Sequence, residues 1–422
     1  MRIFRDLLAT AVVVVAFMAL LEVGLRLAGV RYEYSFYESD PVMYMTYRPN
    51  AEGWEVKEGE NRVRINSLGM RDRERTLAAT PGTIRIALLG DSLVAAPQVP
   101  LEKTMGQVLE RTLSNTLRPG ARSVEVLNFA QAGSTLAQQY LLLKSRVWGF
   151  HPQIVVVFAS PITVPTCSRR LHTVAVPKPF YVIREGHLVP DPWSDPPAPA
   201  SLESRRRNGL VKNLMNRYRL LLLLRQAMGE GVRTVEAMEE EIGALTTGRP
   251  ANTEIESDNE HEVDPVDIWF RAQANAEVEQ AWQVAERLFG RIAGEARQHG
   301  AELWLASIGH PLQENPNAAE RIAYLESHRY RITAYSEERF EALARREGIP
   351  YLGMSPRLLA YAERNHVSVR GFFNTEPNQG HWNEVGNTAA AGIMASELLE
   401  HSSVIRSVRT KSSPERQASL DR

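Results

Sequence analysis

A doubly wound, mostly parallel α/β sheet is the fold class this sequence predicts, and three strand–turn–helix units in succession predict it. Ile84–Leu89 is an apolar run that stops at Gly90. The stretch from Val124 to Phe129 alternates apolar and polar residues and leads through Ala130-Gln131-Ala132-Gly133-Ser134 into a helical stretch. Residues 153–159 are apolar enough for a strand buried on both faces.

The order of elements follows from the same signals. Arg2 and Arg5 precede a near-continuous apolar run from Leu7 to Leu21, and apolar character resumes after Glu22 through Leu25, Leu27 and Val30. That length suits one bilayer-spanning helix, and the leading arginines place the N-terminus in the cytoplasm. Glu22 and Arg26 lie one helical turn apart and can pair near the outer interface. A cleaved signal peptide and a buried core helix are the alternatives. No small-x-small site precedes Glu22, which favours an uncleaved anchor over 1–31 with everything later outside the cytoplasm. Residues 32–80 are mixed and turn-rich, a juxtamembrane segment packing on the domain that follows.

After Ser92, the spacing of Leu101, Met105, Val108, Leu109, Leu113 and Leu117 predicts a helix that Pro119-Gly120 ends. A helix over about 135–148 follows the second strand. Residues 180–183 and 187–189 form a hairpin across Glu185-Gly186, and 190–199 is a proline-rich surface segment. Residues 205–228 read as a basic, leucine-rich helix whose apolar core is too short to span a bilayer. Residues 239–267 are acid-rich and predict a solvated loop, so an insertion covers about 200–267. A helix over 268–298, a fourth strand over 302–308, a helix over 318–347, a fifth strand over 350–353 and a helix over 356–365 complete the alternation. Asn383 is a candidate N-cap for a last helix reaching about 400, which closes a domain over 81–401. Residues 402–422 are polar and predict a disordered tail.

Composition excludes several functions. Hydrophobic residues at 44% and charged residues at 23% are those of a globular chain. A formal net charge of -1 gives no electrostatic case for nucleic acid. The single cysteine, Cys167, rules out an intrachain disulfide framework, and no spacing implies a metal or an organic cofactor.

The chemistry centres on Gly90-Asp91-Ser92-Leu93. A serine at the carboxyl end of a strand stands where open α/β sheets bind ligands, and it becomes a nucleophile when a base takes its proton. Of ten histidines, His151, His187, His261 and His299 sit in ordinary solvated contexts. His381 differs, lying in Gly380-His381-Trp382-Asn383-Glu384-Val385-Gly386 just before the last helix. The Gly-Asp-Ser-Leu motif, the Gly133 turn and the late His-Trp-Asn-x-x-Gly motif occur in the order seen in SGNH/GDSL hydrolases. Asn66-Ser67-Leu68-Gly69-Met70-Arg71-Asp72 resembles the juncture of membrane-anchored members. Over roughly 66–400 the chain therefore resembles a membrane-anchored SGNH/GDSL-type protein.

The resemblance implies a three-layer, flavodoxin-like sandwich around a five-stranded sheet. It implies Ser92 as nucleophile, His381 as base, and the backbone N–H groups of Ser92 and Gly133 as oxyanion donors. Two family features are missing. Where the third motif carries an Asn, this chain has Ser160-Pro161-Ile162-Thr163, so Ser160 or Thr163 is the stand-in donor. Where the family has an Asp before the His, this chain has Asn378 as the candidate orienter. The implied function is an extracytoplasmic, periplasmic serine esterase acting on an O-acyl group, above all O-acetyl, of a small molecule or cell-surface polysaccharide. A polysaccharide O-acyltransferase using the same Ser–His pair and a catalytically impaired binding protein are the alternatives. Convergence of Ser92 and His381 at one sheet edge separates catalysis from binding alone.

Overall fold

The computed structural model describes residues 2–30, 36–117, 123–171, 178–192, 194, 218–224, 227, 270, 276–330 and 335–408. The chain divides into two compact units. The first comprises Met1–Ser35, Glu52–Val56 and Ser201–Glu262, the second the remaining chain.

In the first unit, helix α1 (Arg2–Leu27) exposes Leu7, Val13, Phe17 and Leu20. Its stretch Ile3–Leu27, with mean hydropathy 2.4, is long and apolar enough to cross a membrane. The expected ion pair is present, with Arg26 Nε donating to Glu22 Oε1 at 2.7 Å. Glu22 also accepts the Leu220 backbone N–H at 2.9 Å, and Arg219 donates to the Leu25 carbonyl at 2.9 Å. A buried carboxylate needs such donors, which is why a lone acid persists at the end of an apolar run. The rest of the leucine-rich 205–228 stretch, the acid-rich 239–267 stretch and most of 190–199 lie outside the described residues.

The second unit is built on one parallel sheet. Ahead of it the sequence reads as loop, yet four short strands form: β1 (Tyr37–Asp40), β2 (Tyr44–Tyr47), β3 (Glu52–Glu55, in the first unit) and β4 (Asn61–Arg64). β1 and β2 pair antiparallel. Each strand is four residues long, too short for alternation to stand out against the surrounding turns.

The sheet strands are β5 (Ile84–Leu89), β6 (Val124–Asn128), β7 (Ile154–Ala159), β10 (Glu302–Ser307) and β11 (Tyr351–Gly353), in the order β11-β10-β7-β5-β6. All pairs are parallel. A separate hairpin joins β8 (Tyr181–Arg184) to β9 (His187–Pro190). The alternation along β5 divides the core in two. Ile84, Ile86 and Leu88 pack with α3 (Met105–Leu117), α8 (Met354–Asn365) and α9 (Glu384–His401). Ala87 and Leu89 pack on the other face with α4 (Leu136–Ser145), α5 (Ala276–Gln298) and α7 (Tyr335–Glu347). Period-two side chains feeding two helix layers make the three-layer sandwich. The first strand has the second on one side and the third on the other, so the strand order reverses at β5. In such sheets the crevice beyond that point is where ligands bind.

Two expectations are corrected. The single helix expected over 318–347 is divided into α6 (Ala318–Ser327) and α7, with a positive φ of 54° at Arg329 between them. Residues 403–408 are helical, not a disordered tail, with Ile405 fully buried. Val404, Ile405 and Val408 supply an apolar face only one turn long, too little to stand out among charges; 409–422 lie outside the described residues. Ile405→Ala should therefore lower the unfolding free energy by about 2–5 kcal/mol in chemical denaturation, as for other buried Ile truncations.

Candidate active site

Ser92 is the first residue of the short helix α2 (Ser92–Ala95), at the carboxyl edge of β5. Asp91 caps that turn by accepting the Leu93 N–H at 3.0 Å and also accepts the Ser160 hydroxyl. The turn that carries Ser92 is thus fixed from the strand beside it.

His381 lies on the loop before α9. Asn383 caps the helix, its side chain accepting the Gly386 N–H at 3.0 Å. Beneath the loop, buried Glu314 gathers three donors, each at 2.7 Å: Arg370 Nε, Trp382 Nε1 and Ser355 Oγ. Arg370 also donates to the Gly380 and Gly309 carbonyls, at 2.5 and 3.2 Å. With Arg370 and Trp382 bridged across the loop, His381 has little freedom to move.

From that loop His381 Nε2 reaches Ser92 Oγ at 2.7 Å. On its other side, Nδ1 lies 2.9 Å from Glu58 Oε2, an approach without straight hydrogen-bond alignment. The same oxygen accepts the His381 backbone N–H at 2.8 Å. Gly380 permits this contact, since a Cβ there would lie 2.4 Å from Glu58 Oε2. Burial pushes the Glu58 carboxyl upward, but hydrogen bonding and charge from His381, with the charge of Arg370, outweigh it and hold it below the usual range. A lowered carboxyl stabilises the fold above its unfolded value, and that contribution is lost as pH falls through the lowered folded-state value.

Asn378, the expected orienter, is not the group at Nδ1. It sits in a left-handed turn with φ 62°, and its buried Oδ1 has no hydrogen-bond partner among the described residues. Glu58 carries no motif that points to the site; the glycine at position 380 is the one local mark of its approach.

The turn after β6 comes to the same edge. Gln131 N and Ser134 Oγ both donate to the Gly90 carbonyl, at 3.1 and 2.9 Å, two residues before Ser92. Gly133 is exposed with φ 69°. Neither the Gly133 N–H nor the Ser92 N–H donates to any protein group among the described residues. Of the stand-in donors, Ser160 gives its hydroxyl proton elsewhere, while the Thr163 hydroxyl is held as an acceptor. The Ser160 hydroxyl donates to Asp91, and Thr163 Oγ1 accepts the Ser160 N–H at 2.8 Å. Two backbone donors are therefore available, and the Ser160 hydroxyl is not a third.

The other candidates fall away from this edge. His299 stacks on Trp148 with ring centroids 4.2 Å apart, His151 ends a 3-10 turn, and His187 begins β9. His261 lies outside the described residues. Cys167 is buried and its thiol pushed upward by desolvation, unsuited to nucleophilic work. Among the described residues no group of three or more metal-ligating side chains could hold an ion.

No family model and no curated protein matches the chain. Among solved structures, TesA aligns over 74% of this chain and 97% of its own, at 14% identity and TM-score 0.34. The acetyl xylan esterase AlAXEase aligns over 75% and 100%, at 12% identity and TM-score 0.36. A two-domain esterase (CEX) active on acetylated mannans aligns over 78% of this chain and 50% of its own, at 10% identity and TM-score 0.36. What the site can do follows from its own geometry: a hydroxyl on an imidazole, a carboxylate behind it, and two unpartnered N–H groups.

That geometry separates Glu58 from Asn378. Glu58→Gln removes the charge behind the imidazole and should lower kcat on a small acetyl ester by about a hundredfold or more. Asn378→Ala should stay within about threefold of wild type in the same assay, since its Oδ1 engages no group among the described residues.

Proposed function

We propose that the protein is a serine ester hydrolase of the SGNH type that removes O-acyl, above all O-acetyl, groups. The observation that carries this reading is the 2.7 Å contact between Ser92 Oγ and His381 Nε2 at the sheet's switch point. A serine and a histidine in that contact form a nucleophile and its base. Their convergence supports catalysis over a binding-only role.

The reaction follows from the contacts. Ser92 Oγ attacks the ester carbonyl as His381 Nε2 takes its proton. The carbonyl electron pair moves onto oxygen, where the Ser92 and Gly133 N–H groups receive the negative charge. Glu58 balances the imidazolium that forms. Collapse expels the alcohol, which takes the proton from His381, and leaves the acyl group on Ser92. Water, deprotonated by His381, attacks the acyl-enzyme, and collapse releases the carboxylic acid while Ser92 Oγ takes the proton back from His381. Every proton passes through one imidazole, so no cofactor is needed.

The substrate class is an O-acetylated polysaccharide at the cell surface, with α1 as the membrane anchor and the second unit on the extracytoplasmic, periplasmic side. Arg2 and Arg5 at the start of the apolar helix support that orientation. A periplasm-dependent reporter fused at the C-terminus should be active and a cytoplasm-dependent one silent; the reverse pattern removes the topology.

Ser92→Ala and His381→Ala should each abolish nearly all turnover of a small acetyl ester, and the double variant should be no worse than either, because base and nucleophile act as a unit. Wild-type activity in Ser92→Ala would end the hydrolase reading.

A further inference from the structure

The two free N–H groups of the site differ in how they are held. That of Ser92 opens a capped helix. That of Gly133 belongs to a glycine turn, where the backbone has several alternatives and the peptide can rotate. Something must fix it, because a donor aimed elsewhere gives the oxyanion nothing.

The fixing groups are two tyrosines from the hairpin upstream of the sheet. The Tyr37 hydroxyl donates to the Ala132 carbonyl. The Tyr47 hydroxyl accepts the Ala132 N–H at 2.9 Å. Tyr37 and Tyr47 are direct partners in the β1–β2 register, their rings 5.0 Å apart. A peptide unit is planar and trans, so the Ala132 carbonyl and the Gly133 N–H point in opposite directions. Holding the carbonyl on Tyr37 therefore aims the Gly133 N–H away from the hairpin. Holding the Ala132 N–H on Tyr47 stops the preceding peptide from turning with it. Buried Lys178 restrains the far side, donating to the Gly133 carbonyl at 2.8 Å.

The hairpin itself is tied down. Gln138 Nε2 on α4 donates to the Met43 carbonyl at 2.7 Å, Gln131 Nε2 to Thr46 Oγ1 at 3.0 Å, and Arg146 Nη2 to Asp40 Oδ2 at 2.6 Å. The tyrosine hydroxyls are thus presented from a fixed ledge.

We propose that Tyr37 and Tyr47 are positioning residues for the oxyanion hole, setting the Ala132–Gly133 peptide so that the Gly133 N–H faces the reacting carbonyl. This rests on the ester-hydrolase reading above. The chain upstream of the nucleophile strand then belongs to the active site and is not a spacer.

The test uses the full-length protein in detergent, with Tyr37→Phe and Tyr47→Phe, each of which deletes one hydroxyl and keeps the ring. Two rates are measured: turnover of a small acetyl ester, and inactivation by a serine-reactive phosphonate followed by intact mass, with the adduct mapped. The phosphonate oxygen needs the same donors as the oxyanion. Losing a whole oxyanion donor costs about 10²–10³ in kcat, so a misaimed one should cost about tenfold or more in both rates. KM should stay within about twofold and the melting temperature near wild type. Should one variant fail to fold, the other carries the same comparison, since each tyrosine holds a different edge of Ala132. Wild-type kcat and labelling rate in a folded variant would overturn the inference. So would a loss that appears as raised KM and lowered melting temperature with kcat intact. A wild-type protein that never labels at Ser92 would instead overturn the hydrolase reading itself.

Discussion

The contact of Glu58 with His381, and of His381 with Ser92, is the constraint on which the rest of the site depends. A serine hydroxyl is a weak nucleophile, and an imidazole helps only when its free nitrogen faces that hydroxyl. The Glu58 carboxylate selects that state twice, through its approach to Nδ1 and through the His381 backbone N–H. Its carboxyl is held below the usual range, so it is charged at neutral pH, where the proposed acylation step forms an imidazolium. Three chain segments far apart in sequence must meet for this. The doubly wound sheet brings two of them together, and the segment ahead of it brings the third.

Rigidity beneath the histidine comes from a buried charged cluster. Glu314 and Arg370 are both almost wholly buried, and desolvating them is costly. The cost is offset by multiplicity, since Glu314 accepts three donors and Arg370 ties two loop carbonyls besides. An apolar cluster of similar volume would fill the space but give the loop no fixed register. Removing one member of such a pair leaves a buried charge uncompensated, which typically costs about 3–5 kcal/mol. The arrangement trades tolerance of substitution for a defined position of Gly380 and His381.

What was legible in the sequence was what is local. The sheet strands are apolar or alternating segments next to turns, and Ser92, Gly133 and His381 each lie in a short motif whose flanking residues build the turn. The partners that act across the fold were not legible. Glu58 lies in a stretch of acids and glycines that reads as loop, and only its approach to Gly380 in space gives it a place. The resemblance pointed to Asn378 instead, but its left-handed turn leads the side chain elsewhere. Ser160 and Thr163 carry hydroxyls at the expected place, but Ser160 donates to Asp91 and Thr163 accepts the Ser160 N–H. Tyr37 and Tyr47 belong to strands too short for periodicity to mark. The short helix over 403–408 escaped for the same reason.

The central claim is that one imidazole, backed by Glu58, serves Ser92 opposite two backbone donors. A crystal structure of the phosphonate-inactivated protein tests it most directly. The account predicts phosphorus bonded to Ser92 Oγ and a phosphonyl oxygen within hydrogen-bond distance of both the Ser92 and Gly133 N–H groups. It also predicts the Glu58 carboxylate still against His381 Nδ1. An adduct on another residue, a phosphonyl oxygen turned away from Gly133, or Glu58 withdrawn from the imidazole would contradict it.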